Sequence, residues 1–331
     1  MYKICSLFAG VGGIDLGFLQ TKKCKIVYAN EFDKYAAETY EENFDTKVDT
    51  RDIHDVETSD IPQFDIMVGG FPCTSFSVAG YRKGFNDDRT GDLFFEMERI
   101  FKERKPKVVF LENVKNLVGH DNGRTFRTII EKLEEAGYKG KIRYQVMNAC
   151  EYGNIPQNRE RIYIIAFKNK EDYNKFQMPL PVPLARTIHD IFDFDVEVDD
   201  KYYYTIGKYK GDMCKILKKE MDDDTTVYQW RRKYVRKNQN RLVPTLTANM
   251  GEGGHNVPLI KTPSGIRKLT PIECFYAQGY PRNYKLPKSM SDARLYKQAG
   301  NSVVVPIINR IAENIIKALE EHKKPLAKSK R

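Results

Sequence analysis

Short apolar runs alternate with amphipathic stretches through the first 170 residues. The runs Lys3–Phe8, Cys24–Asn30, Ile66–Gly69, Val108–Glu112, Lys141–Met147 and Arg161–Phe167 predict strands, and a further strand is expected to end near Thr50-Arg51-Asp52-Ile53. Between them, Asp33–Asn43, Leu93–Arg104 and Asn122–Ala136 carry the spacing of helices with one apolar face. Alternation of this kind belongs to the α/β class and predicts a doubly wound, mostly parallel sheet whose ligand crevice lies at the carboxyl ends of its strands. After Phe167 the pattern dissolves, with Pro179, Pro181 and Pro183 marking a linker. Helical periodicity returns in Pro271–Gln278 and Val303–Glu321. These shifts divide the chain into a first domain over 1–175, a smaller irregular domain over 176–268, a return to the first domain over 269–322, and a basic tail over 323–331 expected to be disordered.

Composition narrows the class. With 331 residues, 41% hydrophobic and 30% charged, the chain is an ordinary globular one with enough apolar side chains for a core. No apolar run approaches the ~20 residues that span a bilayer, and the N-terminus leads straight into a strand-like segment with no secretory pattern, so a cytoplasmic protein with no membrane partner is expected. The six cysteines stand singly with no C-x-x-C spacing, which suggests neither a disulfide framework nor a metal site.

The net charge of +10 is unevenly placed. Residues 201–270 hold 15 basic and 6 acidic side chains, residues 323–331 hold 5 basic and none acidic, and the remainder sums to −4. A mildly acidic body with one basic segment reads as a polyanion binder with a dedicated lobe, although a solvated face would look the same.

Chemistry-bearing residues fall where the predicted strands end. Ser6-Leu7-Phe8-Ala9-Gly10-Val11-Gly12-Gly13 stands where a first strand hands over to a helix, and glycines there let a ligand approach the backbone; such turns serve dinucleotides, nucleotides and S-adenosylmethionine alike. One strand later Glu31 can accept both ribose hydroxyls, and Asp52 can meet an adenine edge, although either alone is more often a cap or a surface charge. Gly69-Gly70-Phe71-Pro72-Cys73-Thr74-Ser75 displays a cysteine on a loop just past a strand. Glu112-Asn113-Val114 brings a carboxyl group from the adjacent strand to the same crevice. A thiolate beside a carboxylic acid suits addition to an electron-poor ring, the sulfur attacking while the acid protonates a ring nitrogen. Arg159 and Arg161, two apart before a strand, would project to one side and clamp a phosphate or carbonyl.

In order and spacing, Phe8-Ala9-Gly10-Val11-Gly12-Gly13, Gly70-Phe71-Pro72-Cys73, Glu112-Asn113-Val114, Gln157-Asn158-Arg159-Glu160-Arg161 and Gln298-Ala299-Gly300-Asn301-Ser302-Val303 resemble the successive blocks of the DNA cytosine-5 methyltransferase family of the bacterial restriction-modification type. The minor blocks Arg89-Thr90-Gly91-Asp92-Leu93-Phe94-Phe95 and Arg267-Lys268-Leu269-Thr270-Pro271-Ile272-Glu273-Cys274 fit as well, so the likeness runs from about residue 3 to about 312 and lapses only across 170–265.

The resemblance implies an S-adenosylmethionine-dependent methyltransferase fold, with a catalytic domain over 1–175 rejoined over 269–322 and a target-recognition domain over 176–268. It makes Cys73 the nucleophile toward carbon 6 of a flipped-out cytosine in a short specific duplex DNA site, Glu112 the acid at ring nitrogen 3, and Arg159 and Arg161 the holders of the base. Phe8, Gly10, Gly12, Glu31, Phe32, Asp52, Ile53, Leu93, Asn301 and Ser302 would line the S-adenosylmethionine pocket. One departure is Thr74, where the family commonly has Gln; Thr keeps a hydroxyl that can hydrogen bond but is shorter.

A target base inside a duplex is out of reach, so Thr74–Asp92, with Gly80, Gly84 and Gly91 as hinges, is expected to be a loop that closes over the flipped nucleotide. Ser75 and Arg82 in that loop, and Arg231, Arg232, Arg236, Thr247, Asn249 and His255 in the divergent lobe, are the candidate DNA contacts, with Trp230 and Tyr234 among the cations. A monomer suffices, and a cognate endonuclease without direct contact is the implied partner. Three rivals stay open: a tRNA cytosine-5 methyltransferase sharing these blocks, a non-catalytic DNA-binding relic, and a Rossmann dehydrogenase suggested by the glycine turn and Glu31.

Overall fold

The computed structural model describes residues 1–71, 93–207, 212–231, 233–252 and 257–323. Cys73, Thr74, Ser75, Arg82, Arg232 and His255, the expected closing loop and the tail from residue 324 lie outside the described residues. By packing, the chain divides into two compact units, one drawn from Met1–Met147, Glu160–Leu180 and the chain from Ile307, the other from Asn148–Arg159 and Pro181–Pro306.

The first unit is built on seven strands: β1 (Tyr2–Leu7), β2 (Cys24–Asn30), β3 (Val48–Asp49), β4 (Ile66–Gly69), β5 (Val108–Val114), β6 (Ile142–Asn148) and β7 (Glu160–Phe167), in the order β3-β2-β1-β4-β5-β7-β6. β1 to β5 are mutually parallel, and β7 runs antiparallel to β5, pairing Val114 with Arg161. The strand order reverses between β1 and β4, which opens the ligand crevice of a doubly wound sheet outside the carboxyl ends of those two strands. All four residues of β4 and all but the last of β5 are buried, because a parallel sheet is covered on both faces.

Helices α1 (Gly13–Leu19), α2 (Lys34–Glu41), α3 (Leu93–Arg104) and α4 (Arg124–Leu133) follow the strands. α1 is a helix the hydrophobic pattern does not announce, since Gly13 and Gly17 weaken its intrinsic propensity and Asp15 sits on its buried face. α2 begins at Asp33, whose carboxylate accepts from Tyr35 N at 3.0 Å. Phe94, Met97, Ile100 and Phe101 of α3 join Leu7, Met67, Val109 and Leu111 of the strands in one core cluster.

Where an irregular lobe is expected, the second unit carries a four-stranded antiparallel sheet in the order β11-β10-β8-β9, with β8 (Tyr228–Arg231), β9 (Tyr234–Lys237), β10 (Leu259–Thr262) and β11 (Gly265–Lys268). Strands of four residues leave too short an alternation to be legible. Short helices α5 (Ala149–Tyr152) and α6 (Lys170–Lys175) flank β7 in the chain, and α7 (Met213–Glu220), α8 (Pro271–Tyr276) and α9 (Asp292–Asn301) precede the long final helix α10 (Val305–Lys323).

The chain from 269 to 306 packs with the second unit, whereas the sequence reading returns it to the first domain at 269. A fully buried pair explains the attachment: Arg267 on β11 donates from both terminal nitrogens to Glu273 on α8, at 2.7 and 2.8 Å. Glu273 also accepts from Thr270 N and Oγ1, so the same carboxylate caps α8.

Asp15 is fully buried, accepting from Ser6 Oγ at 2.9 Å. Loss of water pushes its carboxyl from 3.8 up to about 7, against the opposing hydrogen bonds of Ser6 and Tyr40. The folded chain thus keeps a proton that the unfolded chain releases, so this group's contribution to stability is full below about pH 4 and is lost as pH rises through about 7. Asp15→Asn removes the titration. Its melting temperature relative to the parent is expected to rise steadily between pH 5 and pH 8 in thermal melts, and a pH-independent difference would show that Asp15 is ionised throughout.

Candidate active site

The parallel strands of the first unit finish on one rim. Past β1, Phe8, Gly10 and Gly12 all have positive φ, at 54°, 55° and 78°. Phe8 pays the steric cost of that conformation as a non-glycine residue, a feature that clusters at ligand turns. The turn is tied to β2, since Ala9 N donates to Asn30 O at 2.9 Å and Gly10 N donates to Glu31 Oε2 at 2.8 Å. Asp33 N donates to the other oxygen, Glu31 Oε1, at 2.8 Å. Two backbone amides therefore orient the carboxylate just past β2. Phe32, between the two anchored residues, is 68% exposed, an uncommon state for an aromatic ring next to a ligand turn.

At the end of β3, Tyr28 and Arg51 both donate to Asp49, and Arg51 holds its carboxyl down at about 2. Asp52 next to it caps a short turn, accepting from His54 N at 3.1 Å and lying 2.5 Å from His54 Nδ1. Ile53 is buried in the core cluster, and Leu93 packs partly against the same cluster from the start of α3.

One strand beyond the switch, Arg161 Nε lies 3.1 Å from Glu112 Oε1, with both side chains largely buried. The antiparallel register makes them diagonal neighbours on one face of β5 and β7. A side chain at Gly70 would begin 3.2 Å from Glu112 Oε2, so that glycine leaves room beside the carboxyl where the chain runs on toward Cys73. Asn113, whose part the sequence did not reveal, is buried and donates to Phe71 O at 2.8 Å, anchoring the last described residue before that loop. Its only sequence signal is its place between Glu112 and Val114.

The second unit holds the other candidates. Arg159 is 2% exposed, and its guanidinium donates to Leu246 O at 2.8 Å, Gly300 O at 3.0 Å and Ser302 O. The expectation that Arg159 and Arg161 project to one side is corrected: Arg159 precedes β7 rather than lying in it, so the two-residue alternation does not reach it. Its fork is committed to backbone carbonyls. Ser302 is buried with its hydroxyl paired to Tyr280, while Asn301 is exposed at the end of α9.

Thr247 and Asn249 are exposed, with Thr247 Oγ1 donating to Asn249 Oδ1 at 2.8 Å. On the β8–β9 hairpin, Arg231 pairs with Tyr234 and Gln229 with Arg236, and both arginines are exposed. Trp230 points the other way and packs with Tyr204, Leu217, Tyr228 and Leu259 at 8% exposure, so the expectation of a tryptophan among the surface cations is corrected.

No helix among the described residues is long and apolar enough to cross a membrane, and no group of three or more His, Cys, Asp or Glu that could hold a metal ion occurs among them.

A doubly wound sheet with an antiparallel strand beside β5, a rim bearing a glycine turn with an anchored strand-end carboxylate, and a carboxyl–guanidinium pair one strand further define an enzyme of the α/β methyltransferase class. The model of the C-5 cytosine-specific DNA methylase family matches residues 2–317, and the chain belongs to that family. It is 59% identical over 322 residues to the type II methyltransferase M.Bsp6I of Bacillus sp. (strain RFL6), covering 96% of this chain and 100% of that one. It is 41% identical over 325 residues to the type II methyltransferase M1.ScrFI of Lactococcus lactis subsp. cremoris, covering 98% and 80%. In fold it resembles a crystallised mutant DNMT2 of Spodoptera frugiperda, with a TM-score of 0.73 at 20% identity, covering 96% of this chain and 100% of that one. The enzyme is a DNA cytosine-5 methyltransferase, and the dehydrogenase reading is set aside.

Gly12 offers a direct check on the turn. A Cβ there would lie 2.2 Å from the Phe44 ring, at a φ that side chains rarely adopt. Gly12→Ala is expected to destabilise the fold by about 1–3 kcal/mol in denaturant titration, and an unchanged midpoint would mean that the turn relaxes without strain.

Proposed function

We propose that the enzyme methylates carbon 5 of a cytosine flipped out of a short specific duplex DNA site through a covalent Cys73 adduct, with S-adenosylmethionine as methyl donor. The observation that carries this reading is the Glu112–Arg161 pair, set beside Gly70 on the strand end that leads to Cys73. Arg161 orients the carboxyl, which stands one strand from the nucleophile's loop, where acid-assisted thiol addition needs a proton donor or hydrogen-bonding group.

The first unit's rim fits an adenosine-bearing cofactor. Glu31, fixed by Gly10 N and Asp33 N, would accept the ribose hydroxyls. The exposed Phe32 ring would pack on the adenine, and Asp52 would meet its edge. Phe8, Gly10 and Gly12 supply the close backbone approach, with Leu93 as a further apolar wall. Bound there, S-adenosylmethionine would supply an electrophilic methyl group on its sulfonium.

The chain's own residues do the rest. Cys73 Sγ attacks carbon 6, and Glu112 protonates or hydrogen bonds ring nitrogen 3, so that carbon 5 becomes enamine-like. Arg161 keeps Glu112 oriented and holds the base carbonyl. After methylation, loss of the carbon 5 proton expels the Cys73 thiolate and restores the ring. Extruding the base costs a few kcal/mol, which the Thr74–Asp92 loop would offset by closing over it, with Ser75 and Arg82 against the DNA.

The recognition lobe would read the site with Thr247, Asn249, Arg232, His255 and the exposed hairpin face bearing Arg231 and Arg236. A two-stranded ribbon is narrow enough for the major groove. Relatives named as type II methyltransferases support a restriction-modification role, with a cognate endonuclease acting on the same site and a monomer sufficient for strand-by-strand methylation.

Tritiated S-adenosylmethionine is offered with mixed-sequence duplex DNA and, in parallel, with tRNA, followed by bisulfite sequencing. Label at carbon 5 of cytosine in one recurring DNA motif is expected; label confined to tRNA would overturn the substrate. Cys73→Ala is expected to abolish turnover while retaining DNA binding. Glu112→Gln is expected to slow methylation at least ~100-fold under single-turnover conditions, and a near-normal rate would remove Glu112 from the chemistry.

A further inference from the structure

The segment before β7 is fastened to the Thr245–Asn249 loop by its backbone. Val243 N donates to Pro156 O at 2.7 Å, Asn158 N donates to Val243 O at 2.8 Å, and Thr245 Oγ1 donates to Asn158 O at 2.6 Å. From that segment Arg159 reaches further. Its Nη1 holds the loop at Leu246 O, and its Nη2 holds Gly300 O and Ser302 O at the carboxyl end of α9. Those last carbonyls lack partners within the helix and carry its partial negative charge, a favourable place for a cation. A planar fork spans acceptors on two separate segments, which the point charge of a lysine cannot do.

A second observation comes from the other side of the contact. A Cβ on Gly300 would lie 2.2–2.4 Å from the backbone of Thr247 and Ala248, so the loop rests directly on α9. Gly251 repeats the approach one turn away, where a Cβ would lie 2.9 Å from Tyr296. Gln278 and Tyr280 bond Ala299 and Ser302, which fixes the helix end from behind.

We propose that Arg159 is a positioning residue for DNA specificity: it rivets the loop bearing the exposed Thr247 and Asn249 to the end of α9 that bears Asn301, so that base-reading side chains and Asn301 are held as one body. The inference rests on the reading that Thr247 and Asn249 address DNA, and it assigns the buried arginine a task other than contact with the base.

The test uses the full chain without cofactor, titrated into fluorescent duplexes containing either the wild-type target motif or a scrambled one at fixed salt. Arg159→Lys and Gly300→Ala, each verified as folded by its melting curve, are expected to lower the ratio of cognate to scrambled affinity by ~10-fold or more while scrambled-duplex affinity stays within about 2-fold of wild type. A merely structural arginine would weaken both duplexes alike or neither, and either result overturns the proposal. Asn249→Ala separates the two readings. If it loses discrimination while both Arg159→Lys and Gly300→Ala keep it, the rivet is wrong; if Asn249→Ala also keeps it, the loop does not read DNA and the inference falls with that reading. Should Arg159→Lys fail to fold, Gly300→Ala carries the same test, because it disturbs the seat with the guanidinium in place.

Discussion

Strand polarity is the constraint from which the rest of the enzyme follows. Because β1 to β5 are parallel, their carboxyl ends share one rim, and residues more than a hundred positions apart in sequence meet there without any loop having to travel. Phe8 to Gly12 leave β1, Glu31 and Phe32 leave β2, Asp52 follows β3, and the chain toward Cys73 leaves β4. Parallel pairing alone would leave Glu112 without a partner on its far side. The antiparallel β7 brings Arg161 back along β5 to supply one, so a break in the sheet's polarity coincides with the Glu112–Arg161 ion pair.

Much of this was legible in the sequence for a physical reason. β4, buried on both faces, reads as an unbroken apolar run and falls on its expected residues, as does the partly exposed β2, and the helices between the strands carry one apolar stripe. The candidate residues sit at strand ends, where a sequence can place them without any knowledge of packing. What stayed hidden depends on contacts between distant segments. α1 is stabilised by burial against its low propensity, α9 is a charged helix held by its buried Leu295, Tyr296 and Ala299, and β8 to β11 are too short to alternate. Arg159 and Arg161 look equivalent two residues apart, yet one serves backbone carbonyls and the other a carboxyl group, because a strand begins between them.

The two units hold their buried charges differently. In the first, loss of water pushes the carboxyl of Asp15 up to about 7, and the deeply buried thiol of Cys5 is pushed far above its ordinary range. In the second, Arg267 and Glu273 remain a bidentate pair whose carboxylate also caps α8. Replacing one partner of such a pair strands the other charge, whereas replacing both with apolar residues is often tolerated, so the pair fixes which segments meet more than it adds net stability. It joins the last strand of the second unit's sheet to the helix that follows, and that junction lies where the sequence suggested a domain boundary.

Lys237, the last residue of β9, has a different fate from Arg231 and Arg236. Lys237 Nζ lies 2.8 Å from Asp222 and 3.2 Å from Asp223, on the opposite face from the two arginines. An ammonium already neutralised within the protein displaces no counterion from DNA, so it adds nothing to the entropy gained when condensed ions are released. The 15 basic side chains of the 201–270 segment thus overstate the cations free to meet a polyanion, whereas the net of +9, 15 less 6, already counts Asp222 and Asp223. A cation held by two aspartates of its own chain is thereby withdrawn from whatever the hairpin's other face meets, so the strand's alternation sorts its charges into an internal tie and an outward pair.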